Sequence, residues 1–324
     1  MHVIQVDAYG DASVLKWCER PEPVPGRGEV AIRVQATSVN FADIMSRRGG
    51  YSAGSKPPFV PGLDCTGTIA AVGPGVTGLA IGQRVAAFPD QGSYGEVVIA
   101  RDILTYPLNA SVSVEAGASL VILVTAYNLL HQAARLLAGE TVLIHAGAGG
   151  VGSIAIQVAR AMGAGRIFAT VGDASKFAIA QSAGADVVIN YRTEDVGRRI
   201  LAETQEKGVD VILDSVAGDT FTNSLPALAP FGRYVIYGQA SGSPGTLQTP
   251  VLHRENRAVI GYSTGTTRKR RPEALRAPVE AVFGMVAQGK IKVLIGARFP
   301  LKDAAKAHEL VESRHSTGKV LLDV

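Results

Sequence analysis

Cysteine is nearly absent from this 324-residue chain, with only Cys18 and Cys65 present. No disulfide framework can be built from two residues, and no Cys-x-x-Cys pair exists to hold a metal or pass electrons. The six histidines are scattered. Long hydrophobic runs are missing too, so no segment has the length to span a bilayer. There is no basic start followed by an apolar core, as a signal peptide requires, and the cytoplasm is the expected location. Charge of one sign is not in excess. The formal net charge of +4 suits anionic ligands in general and argues for neither a nucleic-acid nor a membrane partner. Internal repeats and low-complexity segments are also lacking.

What is present is the balance of an ordinary soluble enzyme, 47% apolar and 19% charged, with 37 glycines that imply many tight turns. The length suits two domains better than one core. The first 120 or so residues read as β-rich. Met1–Val6 reads as a strand, and Glu29–Asn40 alternates apolar and polar residues with the period of a half-buried strand. Thr66–Val72, Gln83–Ala87 and Tyr94–Ile99 are further short strands, separated by turns such as Pro25-Gly26 and Pro61-Gly62. This pattern predicts a compact antiparallel barrel.

The texture changes near Val114. Glu115–Leu137 is helical in pattern, and Thr141–Ala146 is an apolar run of strand length. Strands at Arg166–Val171, Asp186–Asn190, Val209–Asp214, Arg233–Gly238 and Ala258–Tyr262 then alternate with helices such as Gly150–Met162 and Ser175–Ser182. Apolar strands interleaved with helices predict a doubly wound parallel sheet. A polar, basic loop is expected over Ser263–Arg271, then a helix Pro272–Gln288, a strand Val293–Phe299, a helix Leu301–Ser313 and a strand Lys319–Asp323. This tail is expected to return to the first domain.

Gly147-Ala148-Gly149-Gly150-Val151-Gly152 is a G-x-G-x-x-G that follows an apolar strand and opens a helix, the context a dinucleotide site needs. The first glycine permits the turn, the second admits a pyrophosphate and the third lets helix and strand approach closely. At the end of the next strand, Val171 stands where an NAD-preferring site places a carboxylate. Lys176, one helical turn beyond Gly172, can pair with a 2′-phosphate, while Asp173 reads as a helix N-cap. Tyr191 and Arg192 can add an aromatic face and a charge near the adenine ribose. NADPH is therefore the expected cofactor.

These residues bring a family into view. The chain resembles, over essentially its whole length, the zinc-independent quinone oxidoreductases of the medium-chain dehydrogenase/reductase superfamily. The carrying segments are Ser38–Asp43, Pro61–Gly67, Ala146–Gly152, Asp214–Gly218 and Gly318–Leu322. Zinc-dependent relatives have a cysteine where Asn40 stands, a His-Glu pair at Leu63-Asp64 and a four-cysteine lobe that is absent here. Asparagine and leucine cannot replace thiolate and imidazole as ligands. His145 reads as a packed core residue.

The resemblance implies an α/β fold, with a GroES-like β-barrel domain (residues 1–122), a Rossmann NADP-binding domain (123–262) and a C-terminal return (263–324), and cofactor and substrate in the cleft between domains. It places Asn40, Asp43 and Tyr51 at the nicotinamide. Asn40 would donate to the nicotinamide or to the substrate oxygen, Tyr51 would donate a hydrogen bond and a proton, and Asp43 would orient backbone. A related quinone reductase pattern has tyrosine where Met45 stands. Thr125, Tyr127 and Gly238 resemble positions lining the nicotinamide, and Arg314 and Lys319 resemble residues that close over the cofactor. A homodimer is implied, formed through the Rossmann sheets at the edge strand near Ala258–Tyr262.

Arg268-Lys269-Arg270-Arg271 is the densest charge in the chain and reads as a solvated loop, with recruitment of a phosphate-bearing thioester as the sharper alternative. Three functions follow: reduction of a small-molecule quinone or enone, reduction of an enoyl thioester, or nucleotide binding without catalysis.

Overall fold

Thr141–Ile144, the apolar run ahead of the glycine turn, becomes the inner strand of a six-stranded sheet. The computed structural model describes residues 1–51, 56–90 and 92–324. They divide into two units, Met1–Val124 with Thr264–Val324, and Thr125–Ser263.

In the second unit every strand pairing is parallel. The spatial order is Val187–Asn190, Arg166–Val171, Thr141–Ile144, Val209–Asp214, Leu228–Ile236 and Ala258–Gly261. Numbered within the unit this is 3-2-1-4-5-6, so the winding reverses between Thr141–Ile144 and Val209–Asp214. Doubly wound sheets bind ligands at the carboxyl ends of the two strands that flank such a reversal. Both faces are covered: Leu143, Phe168, Ile212 and Tyr234 are fully buried in one core with Phe221 and Ile200. The buried stretches of these strands are therefore apolar runs rather than alternating.

The first unit is built on the eleven-residue strand Glu29–Val39, which pairs antiparallel with Cys65–Val72, Val97–Arg101 and Lys319–Asp323. These belong to a seven-stranded sheet that also holds Arg84–Ala87, Thr105–Pro107 and Ile295–Pro300, the last pairing parallel with Lys319–Asp323. His2–Val6 and Leu15–Glu19 form a separate hairpin. The final strand thus lies beside the third strand of the chain, which is how the C-terminal tail completes this unit.

Among the segments that differ from expectation, three stand out. The Tyr94–Ile99 strand is shifted to Val97–Arg101, and Tyr94 is a buried core residue instead. Glu115–Leu137 is not one helix. Val114–Gly117, capped by Ser113, gives way to Leu120–Asn128 and then to a wide turn over Leu129–Ala134, which Arg135 closes in the left-handed region at φ 50°. The basic loop predicted over Ser263–Arg271 is a helix, Thr264–Arg270, with Arg268 turned inward. Its polar composition matched a loop, but its one buried arginine and buried Thr264 give it an inner face. Among the described residues no helix is long and apolar enough to cross a membrane.

Candidate active site

In the second unit the site is made by backbone. Ala146, at φ 54°, bends the chain off the strand, and the Gly147 and Gly149 amides close the turn on Thr170 O at 2.8 Å and Ala146 O at 2.9 Å. The helix Gly150–Ala161 starts from Gly149, which offers no side-chain cap. Its first amides therefore lack intrahelical acceptors and present a positive end to an anion. A Cβ at Gly152 would lie 2.2 Å from Ala146 O, and one at Gly147 would lie 2.7 Å from the Ala169 Cβ. Any side chain at either place would displace the turn. Val151 sits in the first helical turn beside them.

One strand over, Tyr191 covers Gly172 so closely that a Cβ there would lie 2.5 Å from the phenol oxygen. Asp173 caps the short turn Ala174–Lys176 by accepting from the Ser175 amide at 2.8 Å. The Ser175 hydroxyl and amide, with Arg192 and Lys176 nearby, hold its carboxyl below the usual range. Burial lowers the Lys176 ammonium while Asp173 supports it and Arg192 opposes it. Two cations thus share one small area with a single carboxylate that is tied to its own backbone. The loops after the next two strands are joined at the same end of the sheet, where Ala240 N donates to Ser215 O at 2.9 Å. Gly238 lies against Ser215, where a Cβ would stand 2.7 Å from the Ser215 carbonyl oxygen. Thr125 and Tyr127 lie on the helix Leu120–Asn128, Thr125 buried and Tyr127 with its ring 4.9 Å from His131. His145 is a core residue, bonded to the Thr170 hydroxyl at 3.0 Å and the Ser224 hydroxyl at 3.1 Å, and burial lowers its pKa.

In the first unit the site is made by side chains. Asn40 ends the long strand and precedes the helix Phe41–Arg47. Asp43 accepts from the Asn40 amide at 2.8 Å and from the Gly62 amide at 3.1 Å, so it ties two chain segments together. Burial pushes its carboxyl up to about 7 against these donors and Lys319. Asp64 is fully buried and accepts from the Ser38 hydroxyl at 2.7 Å, the Val121 amide at 2.8 Å and Asn40 Nδ2 at 3.1 Å. Tyr51 is half-buried, and burial raises its pKa while the Arg268 guanidinium lowers it. The remainder of its turn, 52–55, lies outside the described residues.

Lys319, which the resemblance sets at the cofactor, is 2% exposed and donates to Asn40 Oδ1 at 2.6 Å and Val39 O at 3.0 Å. Strand pairing forces this position, because Val320 lies opposite Val39. Arg314 is exposed after the helix Ala304–Glu312, at φ 61°. Arg268 was missed as a site residue. It is 9% exposed, donates to Leu63 O at 3.1 Å and faces Asp90, Tyr51, Asp43 and Asp64. No local signal marks it, since its partners lie far back in the chain.

The same geometry tests a metal at the Asn40, Leu63 and Asp64 positions. Leu63 has no donor atom, and both Asn40 and Asp64 are bonded within the protein. Among the described residues no group of three or more His, Cys, Asp or Glu is arranged to hold an ion. The residues do not fit zinc.

Comparisons with known proteins agree with this description. Residues 26–109 match the alcohol dehydrogenase GroES-like domain, and residues 150–280 match the zinc-binding dehydrogenase family. A quinone oxidoreductase of Pseudomonas aeruginosa is 36% identical over 323 residues, 98% of each chain. The structure of Escherichia coli quinone oxidoreductase complexed with NADPH superposes with a TM-score of 0.93 at 34% identity, covering both chains fully. The phthioceranic/hydroxyphthioceranic acid synthase of Mycobacterium tuberculosis is 34% identical over 99% of this chain, which matches 15% of that protein.

Proposed function

The chain belongs to the zinc-independent quinone oxidoreductases of the medium-chain dehydrogenase/reductase superfamily, and we propose that it reduces a quinone or an α,β-unsaturated carbonyl with NADPH. The observation that carries this reading is the glycine turn, where a Cβ on Gly152 has no room and the helix amides stand open to a phosphate. The relatives named above support the acceptor class. When bound, NADPH supplies the hydride.

The chain's own residues divide the remaining work. Gly147, Gly149, Gly150, Val151 and Gly152 would hold the pyrophosphate through backbone, and Lys176 with Arg192 and Tyr191 would hold the phosphorylated ribose. Gly172 would let Tyr191 lie close at that ribose, and Gly238, Thr125 and Tyr127 would flank the nicotinamide, with Arg314 at the cofactor. Tyr51 would donate to the acceptor oxygen as it gains charge. Its raised pKa keeps the phenol protonated, as a donor must be. Asn40 would present its Nδ2 to the same oxygen, and Asp43 would hold the backbone of both Asn40 and Gly62.

The test is a fluorescence titration with NADPH and NADH on the wild type and on Lys176→Ala. We expect the variant to lose about ten- to a hundredfold in NADPH affinity, as for removal of a charged hydrogen bond, with NADH unchanged. Equal loss with both nucleotides would move the 2′-phosphate away from Lys176. An acceptor screen then follows, and absence of turnover with every acceptor would leave a nucleotide-binding protein.

The synthase match favours one second reading, an enoyl-thioester reductase. Lys269, Arg270 and Arg271 are exposed and would meet the phosphate of such a substrate. A thioester advantage that vanishes when these three are neutralised supports it. The homodimer is part of the same proposal, since Ala258–Gly261 is an edge strand. A monomer by sedimentation at micromolar concentration would remove it.

A further inference from the structure

A lysine buried in a sheet is costly, and an apolar side chain of similar size usually serves stability as well or better. Lys319 is nonetheless buried, and what it touches is specific. Its ammonium donates to the Asn40 carboxamide oxygen at 2.6 Å and to Val39 O at 3.0 Å. The opposite end of the same carboxamide donates to Asp64 Oδ1 at 3.1 Å. An ammonium has only donors and a carboxylate only acceptors. The pair therefore admits one orientation of Asn40, because a flip would set NH2 against ammonium and C=O against carboxylate.

The second Nδ2 hydrogen is held more weakly. Its contact with the Ser38 hydroxyl is 3.5 Å, at the limit of a hydrogen bond, and that hydroxyl is itself turned to Asp64 at 2.7 Å. One N–H of Asn40 is thus only weakly committed within the cluster. A positive charge on the carbonyl oxygen draws electron density from the amide nitrogen and strengthens this N–H as a donor.

We propose that Lys319 is a positioning residue of the reductase site, which fixes and polarises the Asn40 carboxamide so that Nδ2 serves the oxygen that gains charge. This rests on the reductase reading, with the nucleotide held elsewhere by Lys176 and the glycine turn. Lys319 therefore acts on the chemical step and not on NADPH affinity.

The experiment is a double-mutant cycle of Lys319→Met and Asn40→Ala, with kcat, KM and NADPH affinity measured for each protein. Lys319→Met is expected to lower kcat by about ten- to a hundredfold, as loss of an orienting partner does. NADPH affinity should change less than about twofold, and in the Asn40→Ala background the further loss of kcat should also stay below about twofold. A merely structural lysine would give losses that multiply. Multiplying losses, an unchanged kcat, or a fall in NADPH affinity each overturn the proposal. Where Lys319→Met does not unfold cooperatively, Lys319→Gln is read instead, since it keeps an N–H donor without the charge and should show the same dependence on Asn40. A wild type that turns over no quinone, enone or enoyl thioester defeats the reductase reading itself. The Asn40 side-chain NH2 signals in a 15N-resolved spectrum, assigned by their absence in Asn40→Ala, then decide the contact alone. They shift in Lys319→Gln if Lys319 polarises the amide, and unshifted signals overturn it.

Discussion

The two units carry their chemistry in opposite ways. In Thr125–Ser263 the nucleotide turn is six consecutive residues whose usefulness lies in atoms they do not have, since a Cβ on Gly152 would strike the Ala146 carbonyl. In the other unit, the cluster of Asn40, Asp43, Asp64, Arg268 and Lys319 consists of side chains bonded to one another or to backbone from distant parts of the chain. The turn should therefore fail when an atom is added, and the cluster when one is removed.

The largest effect is expected from removal. Asp64→Ala deletes a buried carboxylate that accepts three hydrogen bonds and leaves the Lys319 ammonium short of counter-charge. Breaking such a buried set costs about 3–5 kcal/mol, read as a lowered midpoint in urea unfolding. A loss under about 1 kcal/mol, the value of an exposed pair, would mean the cluster is solvated and the contrast between the units false.

Addition should cost somewhat less. Gly152→Ala forces a shift of the Ala146 backbone, worth about 1–3 kcal/mol of stability by the overpacking rule, and it should weaken NADPH binding at least about tenfold. Gly149→Ala is the internal control, because its Cβ would stand 3.2 Å from the same oxygen and needs only a small adjustment. Equal behaviour of the two variants would show that the turn is looser than its geometry states.

The same contrast explains what could be read from sequence. The glycine turn was legible because its meaning is local: strand, turn and helix follow one another within a few residues. The strands Arg166–Val171 and Val209–Asp214 were legible to the residue, since both faces are covered and the apolar run stops where the cover stops. The contact of Lys319 with Asn40 was not, because the atom it serves lies 279 residues earlier and only strand pairing brings them together. Arg268 was hidden by its neighbours. Three exposed cations follow it, and composition alone cannot tell which of four basic residues faces inward. Asn40 and Asp43 were found only through resemblance, and their partners Asp64 and Lys319 are a tertiary fact.

In the wild type the smallest net effect comes from two groups of the first unit whose proton linkages oppose. His308 bonds Tyr94 at 3.0 Å, and its Nδ1 has no partner among the described residues. Burial, with Arg47 adding to it, drives its pKa down to about 3. Between pH 6.5, the ordinary histidine value, and pH 3 the unfolded chain takes up a proton that the folded one refuses. Stability from this group is thus full above pH 6.5 and falls as pH drops, by about 1.4 kcal/mol per unit. Asp43 runs the other way. With its carboxyl raised from 3.8 to about 7, the folded state keeps a proton that the unfolded one has lost, so stability falls as pH rises through that window at a similar slope. From pH 3.8 to 6.5 the two cancel, and the wild type should show neither. Each single variant exposes the other group. Relative to the wild type, His308→Asn should gain stability as pH falls from 6.5 to 3.8, and Asp43→Asn should lose it. His145 of the nucleotide unit is buried in the same neutral form, but it is common to all three proteins and drops out of both differences. Unfolding curves at half-unit pH steps read both slopes. Slopes of the same sign would mean that one of the two groups titrates as it does in water, and that its part of the first unit is open to solvent.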